Sequence, residues 1–251
     1  MIIDPHVHLG HDTTFDSNRT EDEIINTMDE VGIGASILQP AQYMTLADFK
    51  TCHTRIYDFS LKHPGRIFGL FASSPHYDED LYRAEAQRCV KKLGFVGIKI
   101  CPHTHVYNPL CRRAYLPFEV ARELRVPLLC HTGNGLPFAS PSNFYHLIKE
   151  YKDVDVVLAH AGTTDTTDEI ITLARKFDNV YIETSTREPN QHNLRSFLKA
   201  VGSQKMMYAS DSTTEMKHCV WVIRRMGLTE EDEENILWKT ADRVFQLGKA
   251  S

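Results

Sequence analysis

Residues 95–131 read FVGIKICPHTHVYNPLCRRAYLPFEVARELRVPLLCH, and this stretch contains the unit that decides the fold. Two short, mostly apolar runs, 95–100 and 127–131, lie on either side of a longer amphipathic segment, 114–124. Short apolar or β-branched runs bounded by turn residues are typical of parallel strands that are covered on both faces. The stretch therefore predicts a strand–helix–strand unit.

The same alternation continues along the whole chain. Helix ends are recognisable: Thr20 followed by Glu23 forms a capping-box pattern, and Gly32 suits a helix stop. Further helices are predicted over 78–93, 114–124, 141–152, 166–177, 190–201 and after Thr229. The predicted strands are 2–6, 35–39, 67–72, 95–100, 127–131, 154–160, 180–184 and 205–210. Eight strands alternating with helices predict an α/β protein with a (β/α)8 barrel, although periodicity alone leaves an open doubly wound sheet as the competing arrangement.

Length and composition agree with one soluble barrel domain over residues 1–251. The chain has 251 residues, and a barrel of this kind needs about 250. Its formal net charge of -5 gives no reason to expect nucleic acid or anionic membrane as a partner. No apolar run approaches the roughly 20 residues of a membrane span, and the N-terminus lacks the features of a signal peptide. The six cysteines form no CxxC pair, which argues against a disulfide scaffold. We therefore expect a cytoplasmic protein, and leave open whether it forms a homodimer.

Polar side chains at the carboxyl ends of the predicted strands are the candidates for chemistry, because barrel active sites lie there. Alternation along a strand points His6 and His8 to the same side, so the two imidazoles can hold one ion. Taken singly, a histidine pair of this kind can arise by chance, and an aspartate after a strand can be a helix N-cap. The joint pattern favours a divalent metal such as zinc. The full set is His6, His8, Lys99, His131, His160 and Asp211.

Other residues are candidates for lining a pocket. His11, His103 and His105 follow predicted strands, and we take His103 as a substrate contact. An acidic substrate would need a cation nearby. Arg187, shortly after the seventh strand, is the first candidate for that cation, and Arg112 and Arg113 are alternatives.

The motifs resemble the amidohydrolase superfamily, and within it the amidohydrolase-2 branch that contains enzymes of the aminocarboxymuconate-semialdehyde decarboxylase type. The resemblance rests on His6-Val7-His8, His131-Thr132-Gly133, His160-Ala161-Gly162 and Tyr208-Ala209-Ser210-Asp211, in this order. It implies a distorted (β/α)8 (TIM) barrel with a metal held by His6, His8, His131 and Asp211. His160 would be a catalytic acid/base or a ligand of a second metal. In some relatives the lysine at the position of Lys99 is carboxylated and bridges two metals, so Lys99 would be a possible bridge here.

Three departures from the branch bear on the pocket. Cys101 stands where relatives often have histidine, so His103 could replace a pocket histidine. Ser212-Thr213-Thr214 follows the terminal Ser-Asp in place of an aromatic residue and proline, and Thr240 replaces an asparagine in the closing helix. These departures leave the expected metal ligands in place, but make the substrate pocket less predictable.

The function predicted first is hydrolysis of an amide, lactone or ester in a small, carboxylate-bearing molecule. One or two zinc ions, with manganese as an alternative, would lower the pKa of water from about 16 towards 7, and Asp211 would act as general base. The alternative is a metal-dependent, non-oxidative decarboxylase. A phosphoesterase, a non-catalytic metal-binding protein and a metal-free lactonase are further alternatives, which metal content and the effect of a chelator would distinguish.

Overall fold

A computed structural model of the chain describes residues 1–13, 16–41, 45–133, 138–161, 166–186 and 190–249. Within these ranges a sheet of nine strands curls in the order β2-β1-β3-β4-β5-β6-β7-β8-β9. The strands are β1 Ile3–Asp12, β2 Ser17–Arg19, β3 Ala35–Pro40, β4 Ile67–Ala72, β5 Gly97–Ile100, β6 Leu128–Cys130, β7 Val156–Leu158, β8 Val180–Glu183 and β9 Met206–Met207. All neighbours pair in parallel except β1 and β2, which pair antiparallel.

The sheet closes on itself next to Asp211. A parallel bridge joins Val7 of β1 to Asp211, and the Asp211 backbone N–H donates to the His6 carbonyl at 2.8 Å. This closure excludes the open doubly wound sheet and confirms the barrel. Each of the eight predicted strands is present, but β1 runs six residues past its predicted end and turns into a hairpin with β2. His6 and His8 therefore lie within a strand and not at its end.

The helices lie between the strands. They are α1 Glu21–Val31, α2 Leu46–Lys62, α3 Glu79–Gln87, α4 Tyr115–Leu124, α5 Tyr145–Glu150, α6 Thr167–Lys176, α7 Gln191–Val201, α8 Thr213–Arg224, α9 Glu230–Glu234 and α10 Thr240–Phe245. The cap predicted for α1 is confirmed, because Thr20 Oγ1 accepts from the Glu23 N–H and Gly32 is left-handed with φ +80°. Helices α2 and α8 have no counterpart among the helices predicted from the sequence. None of the described helices has both the length and the apolar character that a membrane span needs.

Side-chain alternation divides the core into two layers. Ile37, Leu129 and Val157 belong to the inner cluster, together with Phe245 of α10. Leu128, Cys130 and many helix residues form the larger cluster between strands and helices. Because Leu129 points inward and Cys130 outward, the alternation turns the next side chain, His131, inward. The barrel interior is therefore apolar in its lower layers, and its polar residues collect at the carboxyl ends of the strands.

Candidate active site

His6, His8 and Asp211 form the first group of converging donors. His6 is fully buried on β1, whose pairing with β3 shifts register between Asp4 and Val7. Asp211 Oδ1 lies 3.1 Å from His6 Nε2 and 3.3 Å from His8 Nε2. Two tetrahedral ligands at about 2.0–2.2 Å from a zinc ion would be about 3.4 Å apart. The donor atoms thus already have about the spacing that one ion requires.

The other ring nitrogen of each histidine fixes its tautomer. His6 Nδ1 lies 3.2 Å from the Glu183 carboxylate, and His8 Nδ1 lies 3.1 Å from the Pro40 carbonyl oxygen. Both partners accept hydrogen bonds, so Nδ1 carries the proton and Nε2 keeps a lone pair. Metal-binding histidines in proteins are held in the same way. Here the lone pairs accept from Lys99 Nζ at 2.7 Å and from Gln39 Nε2 at 2.9 Å.

His160 and His131 form a second hydrogen-bonded pair. His160 Nδ1 lies 3.1 Å from the Ser185 carbonyl oxygen, so it carries the proton and Nε2 accepts. His131 Nδ1 lies 3.0 Å from His160 Nε2 and must be the donor. The Nε2 lone pair of His131 is then the one left for a metal ion.

Five imidazole rings make a continuous row across the barrel mouth. The centroid distances are 5.4 Å from His8 to His6, 5.1 Å from His6 to His160, 4.5 Å from His160 to His131 and 4.6 Å from His131 to His103. The structure thus brings together the predicted ligands from separate strands. It does not put His131 in the donor group of His6, His8 and Asp211, but groups it with Cys101 and His103.

The charges of the site follow from burial and close partners. Partial burial favours the neutral acid, but when His6 is protonated its charge and its hydrogen bond hold the pKa of Asp211 well below its ordinary value, whereas the neutral ring is the form that can bind a metal. The pKa of Glu183 falls to about 2 against its burial, because His6 and His160 stabilise the carboxylate. Burial lowers the pKa of His160 to about 4 and also lowers the pKa of Lys99. The site at neutral pH therefore combines carboxylates with a neutral His160.

Two site residues have left-handed backbones, which are uncommon outside glycine. His160 has φ +62° and Asp211 has φ +69°. Such conformations cost about 1–3 kcal/mol, and they cluster at functional sites. The turn at each residue redirects the chain just after its strand, at the level where the donors converge.

The three histidines predicted to line a pocket lie in different surroundings. His103 lies in the row, half-buried beside Cys101 Sγ at 3.3 Å. His11 faces Asp16 on the exposed hairpin, and His105 is buried against Phe49, so neither joins the row.

The two candidate arginines that the structure describes do not reach the site. Arg113 forms an ion pair with Glu79, and together with Arg112 it lines a groove on the outer surface of the barrel. Neither is therefore placed to bind a substrate at the row of histidines. Arg187 lies outside the described residues.

Sequence reasoning missed Glu183 and Gln39. Glu183 ends a strand that reads Val180-Tyr181-Ile182-Glu183, so a charge at the end of an apolar run was the available signal. Gln39 gave a weaker signal, since a buried amide is also common as a structural residue. Its Nε2 contacts His8, whereas its Oε1 has no hydrogen-bond partner in the described part of the chain.

Comparison with known proteins places the chain in a family. The model of the Amidohydro_2 family, described as amidohydrolase, matches residues 3–247. A gamma-resorcylate decarboxylase from Polaromonas sp. (strain JS666 / ATCC BAA-500) is 25% identical, over 91% of this chain and 88% of that protein. The structure of 2,6-dihydroxybenzoate decarboxylase from Rhizobium superposes with a TM-score of 0.80 at 18% identity, covering 98% of this chain and 99% of that one. A dihydroxybenzoic acid decarboxylase from Polaromonas sp. JS666, with bound manganese and the inhibitor 2-nitroresorcinol, gives 0.78 at 19% identity, covering 98% and 97%. The family match over nearly the whole chain shows that this protein is an enzyme of the amidohydrolase family, as its motifs predicted.

Proposed function

We propose that this enzyme is a divalent-metal-dependent, non-oxidative decarboxylase of a small, hydroxylated aromatic acid. The observation that carries the proposal is the convergence of His6 Nε2, His8 Nε2 and Asp211 Oδ1. The curated relative is a gamma-resorcylate decarboxylase, and similar structures are dihydroxybenzoate decarboxylases, one of them with manganese. These relatives support decarboxylation, the alternative from the sequence, over the hydrolysis predicted first.

The metal would be held by His6, His8 and Asp211. Two imidazoles and a carboxylate suit zinc and also accept manganese, so we propose a divalent ion and leave the choice between the two to elemental analysis. When bound, such an ion acts as a Lewis acid towards substrate oxygen atoms. The role of Lys99 as a carboxylated bridge between two ions remains a proposal.

Asp211 would move the proton. Its side chain is 41% exposed, and its lowered pKa keeps it ionised in the free enzyme. It can accept a proton from a substrate hydroxyl and return it to the ring carbon that carries the carboxylate. The bond between that carbon and the carboxylate then breaks, its electron pair returns to the ring, and carbon dioxide leaves. The reaction needs no oxidant, because one proton replaces one carbon dioxide.

His160 would position its neighbours. Its Nδ1 proton is held by Ser185, and a pKa of about 4 leaves it neutral at neutral pH. In this state it accepts from His131 and fixes that ring, whereas a proton-donating role would need a different hydrogen-bond arrangement. We propose a small-molecule substrate, with neither nucleic acid nor membrane as partner. The cytoplasmic location and any homodimer also remain proposals.

Substrate turnover in heavy water tests the function. The protein is loaded with Mn²⁺ or Zn²⁺ and incubated with 2,6-dihydroxybenzoate and other hydroxybenzoates, while carbon dioxide release and product mass are followed. We expect carbon dioxide and one deuterium on the product ring carbon. Asp211→Asn should lose turnover, whereas His11→Ala, which changes an exposed histidine of the same strand, should keep it. Hydrolysis of lactone, ester or amide analogues without carbon dioxide release would refute decarboxylation.

A further inference from the structure

Helix α8 carries an aromatic and basic ridge on the outer surface of the barrel. Trp221 is 51% exposed, although tryptophan is on average a highly buried residue. Its ring has two neighbours on the same helix: the His218 ring stacks on it with centroids 6.0 Å apart, and the Arg225 guanidinium lies 5.1 Å from its centroid. Residues three and four positions apart lie on one helix face, so these three side chains form a continuous surface, the α8 ridge.

A groove of about 520 Å³ lies next to the α8 ridge. Arg224, the last residue of α8, lines the groove, so the two features are neighbours on the surface. The buried Leu237 and the partly buried Trp238 give the groove an apolar floor, and Glu230 and Glu233 of α9 give it an acidic edge. Its volume lies in the range of about 300–1,000 Å³ that holds small organic molecules, so an indole side chain fits.

The ridge and the groove differ in charge. Helix α9 consists of five acidic residues, Glu230–Glu234, none of which is buried. Within the described ranges Glu234 pairs with Lys239, whereas Glu230, Glu233 and Arg225 form no ion pair. Because opposite charges on two surfaces favour their association, the basic ridge of one molecule complements the acidic groove of another.

We propose that two copies of this chain associate about a twofold axis, with Trp221 and Arg225 of each copy in the groove of the other. A twofold interface uses the same surface on both copies, so a ridge beside a complementary groove is satisfied twice. Tryptophan and arginine are also the residues that most often dominate the free energy of binding at protein interfaces. Trp221 does not line the groove of its own chain, so its indole is available to a second copy.

This interface would lie at the end of the barrel opposite the row of histidines. The groove is also lined by Ile2, which precedes β1, and by Gly32, which follows α1, so it lies at the amino-terminal ends of the strands. The histidines collect at the carboxyl ends. The proposed dimer therefore does not depend on the reaction that the enzyme catalyses, and it can be tested without a substrate.

Sedimentation velocity over about 1–100 μM protein tests the association. We expect a dimer of the wild type and a dissociation constant at least about 30-fold higher for Trp221→Ala, since a side chain that dominates an interface costs about 2 kcal/mol or more when it is removed. Leu61→Ala removes another exposed apolar side chain, on α2, and should leave the dissociation constant unchanged. Melting temperatures of the variants at concentrations where all are monomeric should agree, because both side chains are exposed.

Charge reversal tests the pairing between the two copies. Arg225→Glu alone, and Glu230→Lys combined with Glu233→Lys, should each be monomeric. An equal mixture of these two variants should form a mixed dimer in native mass spectrometry, because each reversed charge then meets a reversed partner. Lys176→Glu changes another cation beside an aromatic ring, 4.8 Å from the Tyr145 centroid, and should remain dimeric. A monomeric wild type at about 100 μM, a dimer that Trp221→Ala and Arg225→Glu do not weaken, or a mixture that stays monomeric would overturn the proposal.

Discussion

Replacing Glu183 by glutamine should weaken divalent-metal binding about 10- to 100-fold, although Glu183 is not among the proposed ligands. One carboxylate oxygen is 3.2 Å from His6 Nδ1 and 3.2 Å from the His160 N–H, and the other accepts from the Ser185 N–H. All three partners donate. Glutamine offers one oxygen and one NH₂ group, so at least one donor would face another donor. The substitution also removes the negative charge that fixes the His6 tautomer.

The magnitude follows from the bonds that are lost. A hydrogen bond to a charged group contributes about 1.5–3 kcal/mol, and a 10- to 100-fold change in dissociation constant corresponds to about 1.4–2.7 kcal/mol. The two ranges agree if the Gln variant loses one such bond and the rest of the site keeps its shape. Competition between the protein and a fluorescent chelator for Zn²⁺ or Mn²⁺ measures the change directly.

The chain offers a matched control in Glu85. This glutamate is also buried, and it accepts from His53 Nδ1 at 2.9 Å, but it lies in a core network away from the row of histidines. Glu85→Gln should lower the free energy of unfolding and leave the dissociation constant of the metal unchanged. A dissociation constant of Glu183→Gln within twofold of the wild type, or equal weakening in both variants, would show that Glu183 does not hold the metal-binding histidines in place.

Three further predictions concern metal removal, packing and pH. Chelation should abolish activity and lower the melting temperature, and metal at 100 times its dissociation constant should restore about 2.7 kcal/mol, as measured by thermal unfolding. Gly69→Ala should destabilise the protein by about 1–3 kcal/mol in urea unfolding, because the new Cβ would lie 2.6 Å from Phe95 Cδ1; Phe95→Leu in the same chain should recover part of the loss. The free energy of unfolding should decrease as the pH decreases, because two groups bind a proton more readily in the unfolded state. Burial lowers the pKa of His53 below 6.5 despite its bond to Glu85. As the pH decreases, the unfolded state therefore binds a proton at this histidine before the folded state does. Burial would raise the pKa of Glu85, but hydrogen bonds from His53 and Arg88 lower it from 4.5 to about 2, so its contribution is present above pH 4.5 and is lost between these values. The difference in free energy of unfolding between wild type and Glu85→Gln should therefore shrink between pH 5 and pH 3, and a constant difference would contradict this assignment.

The barrel could be predicted from the sequence because its strands are buried on both faces. Runs such as Val156–Leu158 and Val180–Glu183 are apolar at nearly every position, and few other environments allow this. The hairpin of β1 with Ser17–Arg19 could not be predicted, since its pairing residues are polar and partly exposed. Helix α2 could have been predicted, because Phe49, Cys52, Ile56 and Phe59 recur at helical spacing and Thr45 accepts from the Asp48 N–H as its cap.

The candidate site could be predicted as a set of residues but not as an arrangement. Strand alternation and the barrel rule are enough to bring His6, His8 and Asp211 to one end. They do not say which nitrogen of each ring carries a proton, because that depends on partners such as Pro40 and Glu183 from other strands. The separate grouping of His131 with Cys101 and His103 depends on a turn after β5, which no periodicity describes.

Asp211 contributes both to the closure of the barrel and to the proposed reaction. Its backbone N–H closes the barrel on His6, its side chain is the proposed proton carrier, and its φ of +69° is unfavourable for a residue with a Cβ. Closure uses only the backbone, so a variant without the side chain should still fold. Asp211→Gly and Asp211→Ala both remove the carboxylate beside His6 and His8, but only alanine retains the left-handed strain, which costs about 1–2 kcal/mol. In metal-free protein we therefore expect Asp211→Gly to be more stable than Asp211→Ala by about 1 kcal/mol in urea unfolding, with both variants inactive. Equal stabilities would show that the left-handed turn at Asp211 carries no strain, and that its position is set by the fold alone.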